Sequence, residues 1–165
     1  MTSLPTIYWG DIHNHNAIGY GKGKLSRSYT IAKGQLLDVY AFTPHGYWPD
    51  MPQNDERMVV YHREGFAEVQ NRWTEVSEAV KNEYREGAFV TLLGFEWHSS
   101  NAGDYHVLYP GTTGKVYAAE SIHQLQAFVR ANNAVMIPHH VGYPAGWRGV
   151  DWDSFDSSCS PVVDI

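Results

Sequence analysis

Apolar and β-branched runs alternate along the chain with stretches of helical period. Residues 7–13 (IYWGDIH) read as a first strand, followed by a glycine-rich loop, Gly19-Tyr20-Gly21-Lys22-Gly23-Lys24. A short helix is predicted to begin near Ser28, with Ile31, Ala32, Leu36 and Leu37 on one side. Residues 39–45 (VYAFTPH) read as a second strand, stopped by Pro44 and Gly46. After a loop over 46–56, a long helix is predicted from about 57 to 84. Phe66, Val69, Trp73, Val76 and Val80 step along it by three and four, and Gly65 is a point where it can divide. Strands follow at 88–96 and 105–109. Ser121 and Gln124 form a capping box ahead of a helix carrying Ile122, Leu125, Phe128 and Val129. A fifth strand is predicted at 134–139 and a sixth at 161–165 (PVVDI).

Strand–helix alternation of this kind predicts an α/β fold with a mainly parallel sheet and flanking helices. The strands are apolar on both faces until their last residues, as expected where helices cover a sheet. At 165 residues the chain is sized for one domain, 1–165. It stops directly after an apolar run with no helix to cover it, so it is expected to be the N-terminal part of something longer.

Composition narrows the function classes. Twelve basic against 18 acidic residues, a net charge of −6, argue against nucleic acid as a partner, because neutralising phosphates needs a basic face. No apolar run approaches the ~20 residues of a membrane span, and Met1–Pro5 lacks the features of a signal peptide. A soluble, cytoplasmic protein is expected. A single cysteine, Cys159, excludes both an internal disulfide and a thiolate-rich zinc site.

The chemistry sits in the histidines, of which there are nine. His13 and His15 are two apart at the end of the first predicted strand, on one face with Asp11, and make a bite for a divalent metal. His45 ends the second strand, and Glu96 and His98 share a face at the end of the third. His106 lies in the fourth, and His139 and His140 close the fifth. The C-terminal strand ends of α/β folds converge on one rim, so these separated residues are expected to meet there. A set of imidazoles with a carboxylate and no sulfur suits Zn, Mn or Fe. His62 and His123, on helices, are assigned to solvent or packing.

The runs Gly10-Asp11-Ile12-His13-Asn14-His15, Ala41-Phe42-Thr43-Pro44-His45, Leu93-Gly94-Phe95-Glu96-Trp97 and Ile137-Pro138-His139-His140 resemble, in order and spacing, the metal-binding motifs of the PHP (polymerase and histidinol phosphatase) superfamily. The likeness is to its stand-alone, poorly characterised branch. It implies a distorted seven-stranded β/α barrel, present here in part, with two or three divalent metals at the strand ends and phosphoester hydrolysis as the reaction. Carried over by position, His13 and His15 bind a first metal and Glu96 bridges to another. His45 matches the second-motif histidine, and His106 and His139 match the later ones. His139 is preferred to His140, because in a regular strand the two point to opposite faces and the family places its ligand directly after a proline.

Three departures from the family pattern stand out. Pro44 replaces the usual acid of the second motif. No ligand is evident over Gly19–Lys24. The final Asp and His pair is missing, since Asp164 comes too early to supply it. A missing C-terminal segment or a partner copy of the chain would then complete the cluster.

The function expected is that of a metal-dependent phosphoesterase acting on a small-molecule phosphate ester through metal-activated water. Arg148 is the candidate catalytic residue that stabilises developing charge. Lys22, Lys24 and Arg27 are a second, weaker candidate for meeting a substrate phosphate, against a reading as a solvated loop. Trp97 and Trp147 stand between pocket wall and packing. Two alternatives stay open: an amidohydrolase-like enzyme acting on C–N or C–O bonds, and a fragment that binds metal without catalysis.

Overall fold

The computed structural model describes residues 6–165 and is of mixed α/β type. β1 (Gly10–Asp11) leads through the glycine-rich loop to α1 (Leu25–Gly34), then β2 (Val39–Phe42) and β3 (His45–Tyr47). α2 (Glu56–Asn71) and α3 (Trp73–Glu83) precede β4 (Val90–Trp97) and β5 (Asp104–Leu108). α4 (Ile122–Ala131) and β6 (Val135–His139) complete the order.

The six strands form one sheet in the order β1-β2-β4-β5-β6, with β3 continuing beside β4 past the end of β2. β1, β2 and β4 are mutually parallel, and β3 is parallel to β4. β5 is antiparallel to both β4 and β6, which corrects the expectation of a mainly parallel sheet on that side. The reason is the connection. Only residues 98–103 separate β4 from β5, and a parallel return needs a crossover of about a dozen residues or more. Gly103, at φ +95, turns the chain within that span. Asp50 holds the turn by accepting hydrogen bonds from the backbone N–H groups of Ser100 and Asn101 and from the Ser99 hydroxyl.

The helices cover one face of the sheet. Val69, Val76 and Val80 from α2 and α3, and Leu125 and Val129 from α4, pack with Phe42, Leu93, Phe95, Trp97, Val107 and Met136 into one core. The expected stripe on the long helix is therefore present. It is interrupted at Arg72, however, and not at Gly65, with the Arg72 guanidinium bonding Glu68 and Glu75 across the break. Asp55 caps α2 by accepting from the N–H groups of Arg57 and Met58. Ser121 caps α4, while Gln124 reaches Glu120 N–H, one residue earlier than a capping box requires. α1 begins before its expected start and buries Leu25, Tyr29 and Ala32, leaving Ile31 and Leu36 exposed.

On the opposite, inner face, a small apolar cluster of Ala41, Leu108 and Ile137 packs with Ile12, Leu92 and Val135. Above it the same strand faces turn polar. The inward positions of β4 run Leu92, Gly94, Glu96, those of β5 run Leu108, His106, Asp104, and those of β6 run Val135, Ile137, His139. The predicted first strand is reduced to two residues, with Ile7, Tyr8 and Trp9 exposed ahead of it. Residues 161–165 do not form the expected sixth strand; hydrogen bonds from Met136 N–H to the Cys159 carbonyl and from Asp164 N–H to the Pro138 carbonyl lay the segment along β6. Among the described residues no helix is long and apolar enough to cross a membrane.

Candidate metal centre

Glu96 is at the middle of the polar layer and is wholly buried. Its Oε2 lies 3.3 Å from His15 Nε2 and 3.2 Å from His45 Nδ1. Its Oε1 lies 2.8 Å from His139 Nε2 and 3.4 Å from His98 Nδ1. Three ligand sets follow, each with donor atoms within 4.8 Å of one another: His13, Glu96, His106 and His139; Glu96, Asp104, His139 and His140; and His15, His45 and Glu96. Glu96 belongs to all three.

Each side chain arrives by a different local device. Glu96 and His139 occupy inward strand positions just above the apolar cluster. His106 does so from the antiparallel strand, where the inward alternation also brings Asp104 to the rim, opposite His139 in the ladder. Because β5 runs backwards, its beginning, not its end, joins the C-terminal ends of its neighbours. His13 and His15 lie beyond β1 in irregular backbone, with Nε2 atoms 3.2 Å apart. They are nevertheless divided between sets: the His13 ring sits 4.2 Å from that of His106, and the His15 ring stacks on His45 at 4.1 Å. His45 does not end β2 but opens β3, after the break at Pro44.

His140 departs from strand alternation. β6 ends at His139, and His140 has φ +56, which brings its ring to 4.3 Å from that of His139. Both neighbouring histidines therefore reach the same layer, where a regular strand would have separated them. His98 is buried between Glu96 and Asp104, with Nδ1 3.3 Å from Asp104 Oδ1. Arg148, at φ +67, donates its backbone N–H to the Ser100 carbonyl and pairs through Nη2 with Asp104 Oδ2, 4.0 Å from Glu96 Oε1. Its guanidinium lies over Trp48.

Burial shapes the charge state. It is the foremost cause pushing the Glu96 carboxyl up, to about 7, and Asp104 pushes the same way. Burial likewise lowers His15 to about 3 and His139 and His140 to about 4, with further lowering by neighbouring imidazoles at His15 and His140. His45 and His106 are held well below the ordinary range for the same reason. Burial opposes ionisation of Asp104, but His98 and Arg148 outweigh it and hold its carboxyl low. At neutral pH these imidazoles are neutral and carry free lone pairs, the state in which histidine binds metal.

Several of the layer's polar atoms also make no hydrogen bond. Eleven buried side-chain N and O atoms among the described residues make no hydrogen bond, and six of them are lone-pair atoms of His15, Glu96, His106 and His139. Each such atom costs about 1–3 kcal/mol unless something satisfies it. Nitrogens and carboxylate oxygens converging at contact distance without hydrogen bonds are what a cation would satisfy, and the set of imidazoles and carboxylates fits a divalent ion.

All six expected ligands, His13, His15, His45, Glu96, His106 and His139, lie in this layer, as does Arg148. Asp104 was not anticipated; its spacing two before His106 was the available signal, once β5 is seen to run backwards. Trp48 and Tyr20, which pack on His98 and His45, were likewise missed. Trp97 is buried in the outer core, bonding the Ala119 carbonyl, and Trp147 is exposed. His62 packs against Tyr20 and Trp48 with Nδ1 2.8 Å from the Met58 carbonyl oxygen, and His123 is exposed. No protein-family model matches the chain, and neither does any curated protein.

Proposed function

We propose that this chain is a metal-dependent hydrolase acting on a small-molecule phosphate ester, built as part of a PHP-like β/α barrel. The observation that carries the reading is the position of Glu96, a buried carboxylate common to three overlapping ligand sets. A shared carboxylate suits two or more adjacent divalent ions. Such ions, when bound, supply an acidified water nucleophile and a clamp on phosphoryl oxygens.

His13, His106 and His139 would hold one ion with Glu96, His15 and His45 a second, and Asp104 with His140 a third. The chain's own residues do the rest. The neutral imidazoles of His15, His45, His106, His139 and His140 present lone pairs without first releasing protons. Asp104 fixes the Arg148 guanidinium at the edge of the layer, where its fork suits a phosphoryl oxygen and the charge that grows there. No side-chain nucleophile is required. The ordered motifs support the family reading because residues far apart in sequence, matched to the motifs one by one, come together in one layer.

The test is metal analysis of the purified chain with paired substrate assays. Two or more equivalents of Zn, Mn or Fe, with phosphate release from an aryl phosphate, is the expected result. Turnover of an amide or lactone alone would replace it with the amidohydrolase reading, and bound metal without any turnover with a non-catalytic one.

A further inference from the structure

A cavity of about 270 Å³ opens beside the metal layer, between the glycine-rich loop and α1. Its wall includes His15 from the layer together with Lys22, Lys24 and Arg27. We propose that this cavity binds a second anionic group of the substrate, a phosphate, so that the substrate is a phosphate ester bearing another phosphate on its leaving group. This rests on the hydrolase reading above.

The charge balance is the first argument. The chain as a whole carries −6, yet three cations gather on this wall against one carboxylate, Asp11. One Asp11 oxygen already accepts the His13 backbone N–H. Among the described residues none of Lys22, Lys24 and Arg27 lies within 4.0 Å of a carboxylate oxygen, so no ion pair within the chain neutralises this wall. Three exposed cations on one wall without a carboxylate partner leave it positive, which favours an anion.

The polar lining is the second argument. The Tyr40 hydroxyl on this wall is shielded from solvent and makes no hydrogen bond, and Ser28 lies on the same wall. The third is the start of α1, whose first turn carries no acid to repel an anion. The positive end of the helix dipole there favours an anion. The carbonyl of Gly23 is bonded to Ala17 N–H and Gly23 takes φ +86, so the loop carrying the lysines is folded back on itself. Because His15 forms part of both the cavity wall and a ligand set, the cavity adjoins the metal layer, as a substrate carrying both groups requires.

The experiment compares the full chain at a fixed, measured metal content with Lys22→Gln/Lys24→Gln/Arg27→Gln. A control, Arg57→Gln/Arg63→Gln/Lys81→Gln, removes the same charge elsewhere. Titration with inorganic pyrophosphate, run on protein stripped of metal so that no ion competes for it, is expected to show affinity at least tenfold weaker for the cavity variant and within twofold of the parent for the control. With paired substrates, the cavity variant is expected to lose at least tenfold in kcat/KM on 1,4-butanediol bisphosphate and less than threefold on phenyl phosphate. Equal pyrophosphate affinity in all three proteins, or equal losses on both substrates, would overturn the proposal. If neither ester is hydrolysed by the metal-loaded parent, the hydrolase reading fails, while the pyrophosphate titration still decides whether the cavity binds phosphate.

Discussion

Glu96 Oε1 and His139 Nε2 lie 2.8 Å apart, although β4 and β6 are not neighbours in the sheet. With strands about 4.8 Å apart, β5 places their backbones roughly 10 Å from each other. The contact is made because the sheet curls and its inward side chains converge above the small apolar cluster. His13, beyond β1 at the far end of the strand order, comes within 4.7 Å of the His139 ring by the same curvature.

Glu96→Gln should therefore affect every metal position at once. The substitution keeps the shape but removes the one carboxylate common to all three sets. Metal affinity is expected to fall by more than the roughly 10- to 100-fold typical of an outer-shell change. His15→Ala, which touches a single set, should lower the stoichiometry and leave the remaining ions in place. Elemental analysis after equilibrium dialysis separates the two outcomes.

Stability without metal should narrow from both sides of neutrality. His139 and His140 fall from 6.5 to about 4 on folding, and His15 to about 3. The unfolded chain binds protons there first, so stability present above pH 6.5 is lost as pH drops towards 4. Glu96 rises from 4.5 to about 7, so its contribution is full below 4.5 and disappears as pH climbs through 7. A bound cation offsets the buried carboxylate charge. The gain in melting temperature on adding Zn or Mn is accordingly expected to be larger at pH 8 than at pH 6, as read by calorimetry.

Gly94 is the inward residue one step below Glu96. A Cβ there would fall 2.6 Å from Leu108 Cδ2 and 2.7 Å from the Val107 carbonyl oxygen. The backbone contact cannot rotate away, so Gly94→Ala must part β4 from β5. A loss of about 1–3 kcal/mol is expected, seen as a melting temperature lower by about 2–12 °C. Metal affinity should fall as well, because the Glu96–His106 pairing sits on the same ladder.

Arg148→Ala should separate turnover from metal binding. It is paired with Asp104 and is absent from the three ligand sets. If it stabilises charge on the phosphoryl group, kcat on an aryl phosphate is expected to drop by about 10²–10³ with metal content retained. Arg148→Lys keeps the charge but not the fork and should recover part of that loss. Loss of metal in step with activity would instead make Arg148 a support for the ligands.

Much of the site was legible because its chemistry is written in residue type. His13, His15, His45, Glu96, His106 and His139 stand out in a chain with a single cysteine, and their places near strand ends were readable from apolar runs. Asp104 was not legible, since its role depends on β5 running backwards. His140 was not, since strand alternation alone sends it away and only its left-handed backbone returns it. The helical stripe on α2 and α3 was readable from its period, whereas the break at Arg72 and the exposure of Ile31 and Leu36 were not.

The amino-acid order alone determined the alternating elements, the stock of metal-binding groups and the exclusion of an internal disulfide, because periodicity and side-chain type are local properties. Tertiary structure decided which groups share an ion, how the strands run, and that Glu96 is the carboxylate common to all the sets. Those depend on the short β4–β5 turn and on the curl of the sheet, which bring together atoms that no local pattern relates.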